Sequence, residues 1–501
     1  MNGKRELAMK WVRQCVMAGT VLWIAGLAVA VLTPAVEPLG VQPLGVQPLA
    51  GQTPLPDSPA ASYVSVEPGT TVLTHVTVID GTAGPVLRDQ SIVIQDNRIV
   101  AVGPTGDVQA PSGARVMDLG GHTVIPGMVG LHNHLFYMAA GGRMNPMSYT
   151  GQRLYLGSGV TTIRTTGSLA TYAELNLKDE IERGLQPGPR IHITAPYMTG
   201  DESLGIMTRL RDAEQARRFV RYWAAEGATW LKAYTTIRTD ELAAAIDEAH
   251  KVGLKVTGHL CSISFTEAVD LGIDNIEHGL ATNSDYADGK VKDVCPADLL
   301  LKATAIDVHG PEAQNTFRKM IDADVAMTST LAVYELSVQG RPTRDRRTLN
   351  AMAPDVREDY LAAKARIDEI GRPVEGFLNA MAYEKAFYDA GGLLAAGVDP
   401  TGNGGALPGY GDQRNYELFI EAGFTPTQAV QVLSANGARV LGIFDELGTV
   451  EEGKLADLVV LRGDLTDDPA VVREVTLVFK DGVGYDAPRM LADTEGRVGI
   501  N

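Results

Sequence analysis

Two histidines one residue apart, His132 and His134, end the apolar run Val124-Ile125-Pro126-Gly127-Met128-Val129-Gly130-Leu131. On a strand, residues two apart point to the same side, so this pair would offer two imidazoles to one spot. Neutral imidazole is the commonest metal ligand; two exposed loop histidines is the plain alternative. The ends of other expected strands favour the metal. Trp230-Leu231-Lys232-Ala233-Tyr234, Val256-Thr257-Gly258-His259, Asn275-Ile276-Glu277-His278-Gly279 and Ala396-Gly397-Val398-Asp399-Pro400 each carry a ligand or base beside a turn residue. Singly, these have structural explanations: a snorkelling lysine, capping histidines, an aspartate turning ahead of proline. Taken in order at successive strand ends, His132, His134, Lys232, His259, His278 and Asp399 point to metal-assisted chemistry. Nitrogen and oxygen donors without a thiolate suit zinc, manganese or cobalt.

The elements that must position these residues alternate. Candidate strands fall at about 124–132, 159–165, 190–197, 229–234, 254–259, 273–278, 324–330 and 392–399, with helical stretches such as Asp212–Glu226 and Thr239–Val252 between them. Eight strands with helical connections predict an α/β fold of the (β/α)8 barrel type over 123–440, whose chemistry sits at the C-terminal strand ends. A doubly wound open sheet is the alternative. A long insertion at about 331–390 separates the last two strands and is expected to act as a lid. The stretches 63–122 and 441–490 read as β instead, with a hairpin at Asp96-Asn97 and strands such as Leu458-Val459-Val460-Leu461. A β segment at each end predicts one small β-sandwich domain built from both.

The chain of 501 residues can bury a large core, and its 45% hydrophobic and 21% charged residues are ordinary for a globular protein. A net charge of −17 argues against nucleic acid as a partner, since that needs a basic face. Lys4, Arg5, Lys10 and Arg13 precede an uncharged run, so 1–36 reads as a signal peptide or, since the run is long enough to span a bilayer, an N-terminal anchor. The repeats Pro-Leu-Gly-Val-Gln within 37–62 read as a proline-rich tether. The expected location is therefore exported, periplasmic or secreted, with membrane contact only through an uncleaved leader.

The constellation resembles the amidohydrolase superfamily, in its imidazolonepropionase-like and prolidase-like branch with a binuclear metal centre. The likeness covers most of 65–480, including Gly453-Lys454-Leu455-Ala456-Asp457. It implies that His132, His134 and Asp399 bind the more buried of two divalent ions, usually zinc, and that His259 and His278 bind the other. It also implies that Lys232 is carboxylated and bridges them. A hydroxide shared by the metals would attack an amide carbonyl, with Asp399 carrying the proton to the leaving nitrogen. Tyr234, on the same strand face as Lys232, would donate to the developing oxyanion. The expected substrate is a small molecule: a dipeptide, an N-acyl amino acid or a cyclic amide. Ester or lactone hydrolysis at the same centre, and a catalytically silent binding module, are the alternatives.

Arg164, ending the second strand, is a candidate for binding a substrate carboxylate, with Arg209 and Arg414 weaker ones. Cys261 and Cys295 lie in loops after neighbouring strands and are candidates for a disulfide, two unpaired thiols being the alternative. A homo-oligomer is compatible with all of this.

Overall fold

The structure, a computed structural model, describes residues 53–200, 205–299, 303, 305–341 and 345–500. The expected leader, and the expected tether up to residue 52, lie outside the described residues. Residues 53–62 are not a free tether: Leu55 N–H donates to Gly184 O and Ala60 N–H to Leu185 O, and Ala60 is buried. Among the described residues no helix is long and apolar enough to cross a membrane.

Parallel strands run in chain order through Met128–Asn133, Val160–Thr165, Arg190–His192 with Thr194–Thr199, Trp230–Ala233, Lys255–Gly258, Asn275–Glu277, Ala326–Ser329 and Leu394–Ala396. Each pairs in parallel with its successor, the third strand in two pieces: its first piece pairs with the second strand and its second piece with the fourth. Beyond the ladder, the last strand lies beside the first. Asp399 N–H donates to His132 O at 2.8 Å and Val398 N–H to Asn133 Oδ1 at 3.1 Å. Gly397 permits this approach, because a Cβ there would sit 2.2 Å from the His132 nitrogen.

The connecting helices follow their sequence signals. Ala213–Ala225 starts where the Asp212 carboxylate accepts from Gln215 N–H at 2.7 Å. Thr239–Lys251 buries Leu242, Ala245, Ile246 and Ala249, one stripe at helical spacing.

The two chain ends meet in a nine-stranded sheet. His122–Pro126 is its central N-terminal strand, pairing antiparallel with Leu458–Arg462 and parallel with Thr70–Val78. The single strand expected at 124–132 is therefore two. One belongs to this sheet and one to the parallel set, and the chain breaks between them at Gly127. An unbroken apolar run hides such a break, since both strands are buried. Val66, Leu73, Ile92, Val124, Leu458 and Phe479 share one apolar cluster, so both halves of the sheet pack against a common core.

The expected lid is not one unit. Val374–Asp389 buries Phe377, Met381, Tyr383 and Phe387 in the main core, as the helix before the last strand. Leu331–Glu335 also joins the main core, through Leu331 and Ala332, whereas the stretch carrying Arg346–Ala351 and Pro354–Ile370 packs Met352, Val356 and Tyr360 against Tyr137 and Val498. The C-terminal tail thus docks on the insertion, with Ala353 N–H donating to Val498 O at 3.0 Å.

Candidate metal centre

At the C-terminal strand ends, His132, His134, Lys232, His259, His278 and Asp399 all line one cavity of about 110 Å³. Two of the six depend on left-handed backbone at the strand end, His278 at φ 73° and Asp399 at φ 48°. His and Asp are among the residues that tolerate this region, which turns their side chains inward where a strand would carry them past.

Three imidazoles are oriented from behind. His132 Nδ1 donates to Glu277 Oε2 at 2.8 Å, because an ionised carboxylate can only accept. His134 Nδ1 donates to Gly167 O at 3.2 Å, and His278 Nδ1 lies 2.8 Å from Thr330 Oγ1. Each ring thereby keeps Nε2 for the cavity, the arrangement in which a metal-ligating histidine is fixed by its other nitrogen. Asp399 closes the group, with its oxygens 3.7 Å from His132 Nε2 and 3.4 Å from His134 Nε2. Ligand atoms of His132, His278 and Asp399 all lie within 4.8 Å of one another. The His259 ring stands 4.2 Å from that of His278 and 4.8 Å from that of Tyr234, centroid to centroid.

The electrostatics fit a cation. Burial lowers the pKa of His132 and His278 and brings that of His259 to about 3, so these rings are neutral with lone pairs available. Burial also pushes the Lys232 amine down to about 7 against the pull of Glu277. For Asp399, burial works upward, but His132 and His134 outweigh it and hold the carboxyl well below its usual range. Two buried polar atoms here make no hydrogen bond, Lys232 Nζ and His278 Nε2. Buried polar atoms are almost always paired. This pair of orphans faces a cavity walled by neutral imidazoles and an ionised carboxylate, a donor set that fits a divalent cation.

Arg164 is a correction. Its side chain is fully enclosed below the site. Nε donates to Leu131 O at 2.8 Å, one terminal nitrogen donates to Glu277 Oε1 at 2.5 Å, and the guanidinium lies over the Trp230 ring. A residue with no exposed surface reads no substrate; this one balances Glu277. Arg414 is bound up with Glu335 and Glu417, and Arg209 forms a short strand with Thr208, so neither lines the cavity. Tyr234 does line it. Cys261 and Cys295 are bonded, with Cα atoms 4.9 Å apart, tying the loops that follow His259 and His278.

Sequence reasoning missed Glu277, Tyr197 and Tyr334. Glu277 was legible in principle, since strand alternation places it with Asn275, opposite Ile276. Tyr197 pairs in register with Lys232, and its hydroxyl lies 3.5 Å from His134 Nε2. Tyr334, from the insertion, sets its ring 5.6 Å from that of His278; no local pattern marks it.

The model of the amidohydrolase family matches residues 123–325 and 401–484, more than half of the chain. The chain belongs to the amidohydrolase family. Asp399 stands two residues ahead of the second matched block. An imidazolonepropionase from Erwinia tasmaniensis is 23% identical over 395 residues, covering 77% of this chain and 89% of the relative. A structure assigned to a prolidase from Bifidobacterium longum is 26% identical with a TM-score of 0.60, covering 85% of this chain and 99% of its own. A Xaa-Pro dipeptidase with bound methionine aligns with a TM-score of 0.62 at 21% identity, covering 83% and 100%. These place the amidohydrolase in the imidazolonepropionase-like and prolidase-like branch, with a TIM-barrel-like α/β fold. It is a metal-dependent hydrolase of carbon–nitrogen bonds.

Proposed function

We propose that this amidohydrolase is an exported enzyme that cleaves the amide bond of a dipeptide, an N-acyl amino acid or a cyclic amide, using two divalent cations, zinc in the first instance. The observation that carries the reading is the convergence of the six candidate ligands on one cavity, with Lys232 Nζ and His278 Nε2 left unpaired. His132, His134 and Asp399 would hold one ion, and His259 and His278 the other. Lys232 would serve as a ligand in its carbamate form, made when the neutral amine adds to carbon dioxide, forming an N–C bond and releasing one proton. Its depressed pKa supplies that neutral amine. The same reading makes the parallel strands a closed (β/α)8 barrel and the end sheet a β-sandwich domain.

Bound divalent ions supply Lewis-acid polarisation of the carbonyl and lower the pKa of water to about 7. The chain supplies the proton handling. Asp399, whose carboxyl is held well below its usual range, accepts a proton from the attacking water and returns it to the leaving nitrogen. Tyr234, whose hydroxyl burial raises to about 12, stays protonated and donates a hydrogen bond to the carbonyl oxygen as charge develops there. The Cys261–Cys295 bond supports export, because disulfides persist in oxidising compartments.

Purified protein supplied with zinc and bicarbonate is expected to hold about two metal ions per chain and to hydrolyse members of a dipeptide, N-acyl and lactone panel, amides first. Asp399→Asn is expected to retain metal and lose turnover by a factor of about 100 or more. A chain that binds no metal under these conditions overturns the reading, and an Asp399→Asn enzyme at wild-type rate removes the proton role. Turnover confined to lactones would replace the amide by an ester bond.

A further inference from the structure

Beside the metal cavity lies a second hollow, about 230 Å³, walled by Leu135, Phe136, Met144, Pro146, Leu169 and Leu177. The two adjoin: Phe136, Met144, Leu169 and Ile206 line both. Its floor, Leu135 and Leu177, belongs to the main core. Its mouth opens between the start of helix Thr171–Glu182, at Ala173, and the hairpin strand Met144–Pro146. The family chemistry requires no such hollow, and none of the six ligands reaches it.

We infer that this hollow receives a large uncharged side chain, of aromatic-ring size, carried by the substrate on one side of the scissile bond. The inference rests on the amide-hydrolase reading and names the substrate class within it. An apolar cavity of about 150 Å³ suffices to take up benzene, so the hollow holds a ring with room for a linking methylene. Because it adjoins the metal cavity, a side chain seated here can belong to a molecule whose carbonyl lies among the six ligands.

The lining also carries one carboxyl, Glu174, and that decides between a neutral and a basic occupant. Glu174 is 4% exposed, and its Oε2 is enclosed without a hydrogen-bond partner. Glu174 belongs to the lining but is almost wholly enclosed, and burial raises its pKa to about 7. Asn145 and Ser148 are the other polar residues of the lining, so the surface met by an entering side chain is mainly hydrocarbon.

The test uses the zinc-loaded full chain and two substrate series that sample both sides of the bond. One is N-acetyl amino acids with Gly, Ala, Leu, Phe or Lys side chains; the other is glycines acylated with acetyl, isovaleryl or 3-phenylpropionyl groups. In one series kcat/KM for the phenyl member is expected to exceed that of the methyl member by about 10- to 100-fold, the worth of burying such a group. Ala173→Trp, at an exposed helix position, fills the mouth and is expected to cut that ratio at least tenfold. A ratio of two substrates on one preparation does not depend on the folded fraction. Flat series, a preference for the lysine side chain, or an unchanged ratio in the variant overturns the inference while leaving the amidase reading intact. No turnover of any member overturns the inference, and the amidase reading falls with it only if the dipeptides and cyclic amides are inert as well.

Discussion

Glu277→Gln is the substitution that separates support of the site from the site itself. The Glu277 carboxylate is fully enclosed. It accepts from His132 Nδ1 at 2.8 Å, from Arg164 at 2.5 Å and from Thr257, with Lys232 Nζ 3.9 Å away. Burial raises its pKa, but Lys232 while it is a cation, Arg164 and the Thr257 hydroxyl outweigh that and lower it; Arg164 and Thr257 remain as partners once Lys232 is neutral. An amide there must turn its oxygen to Arg164, whose donors have no alternative role. Its NH2 then faces His132 Nδ1. Two donors cannot share one proton position, so the ring proton moves to Nε2, the nitrogen that faces the cavity. The expected loss of metal affinity is about 10- to 100-fold, as for other orienting partners of a ligating histidine. The buried Arg164 also loses its counter-charge, which costs about 3–5 kcal/mol of stability. Chelator titration with metal analysis reads the first effect and denaturant unfolding the second. The double variant Arg164→Met/Glu277→Gln removes both charges and is expected to recover most of the stability but not the metal affinity. A single variant with wild-type chelator midpoint and stability would refute the account of Glu277.

Three further outcomes follow from the same structure. Tyr234→Phe removes the proposed donor to the carbonyl oxygen and is expected to lower kcat about 10- to 1,000-fold with metal content unchanged; steady-state kinetics on zinc-loaded protein checks it. Cys261→Ser opens a loop with a sequence separation of 34 and is expected to cost about 3–4 kcal/mol, read by chemical unfolding beside a thiol count of the unreduced wild type. Burial raises Glu384 to about 8, so the folded state holds a proton that the unfolded state gives up above about pH 4.5. That stabilisation is complete below pH 4.5 and falls by about 1.4 kcal/mol per unit as pH rises toward 8. The stability difference between Glu384→Gln and wild type, followed across pH 4–9, is expected to shift in the variant's favour over that window. A constant difference would show that Glu384 does not hold the proton.

The legible part of this protein is what periodicity and strand ends encode. The strand positions from residue 159 onward, the helices after Asp212 and Arg238, and the set of six converging residues all follow from local pattern. Three things do not. Pro126-Gly127 divides one apolar run between two sheets, and hydrophobicity has no mark for that. Arg164 reads as a ligand-binding group because it ends a strand, yet it turns inside, where Glu277 and Trp230 take up its charge. The choice depends on a carboxylate 113 residues away. Tyr334 reaches His278 from a short helix whose place is set by packing Leu331 and Ala332 into the main core. Each miss is a long-range partnership, invisible until the partner is placed.

The sheet built from both termini also sets a schedule for synthesis. Its last N-terminal strand ends at Pro126, and the strand that pairs with it begins at Leu458. With about 330 residues between them and elongation at about 5–20 residues per second, the first half waits roughly 17–66 s for its other half. Val124 and Ile125, fully enclosed in the finished molecule, stand uncovered on that side throughout the interval. The nascent chain therefore spends most of its emergence unable to finish folding, and chaperone capture in that interval will bear on yield as much as the stability of the finished enzyme does.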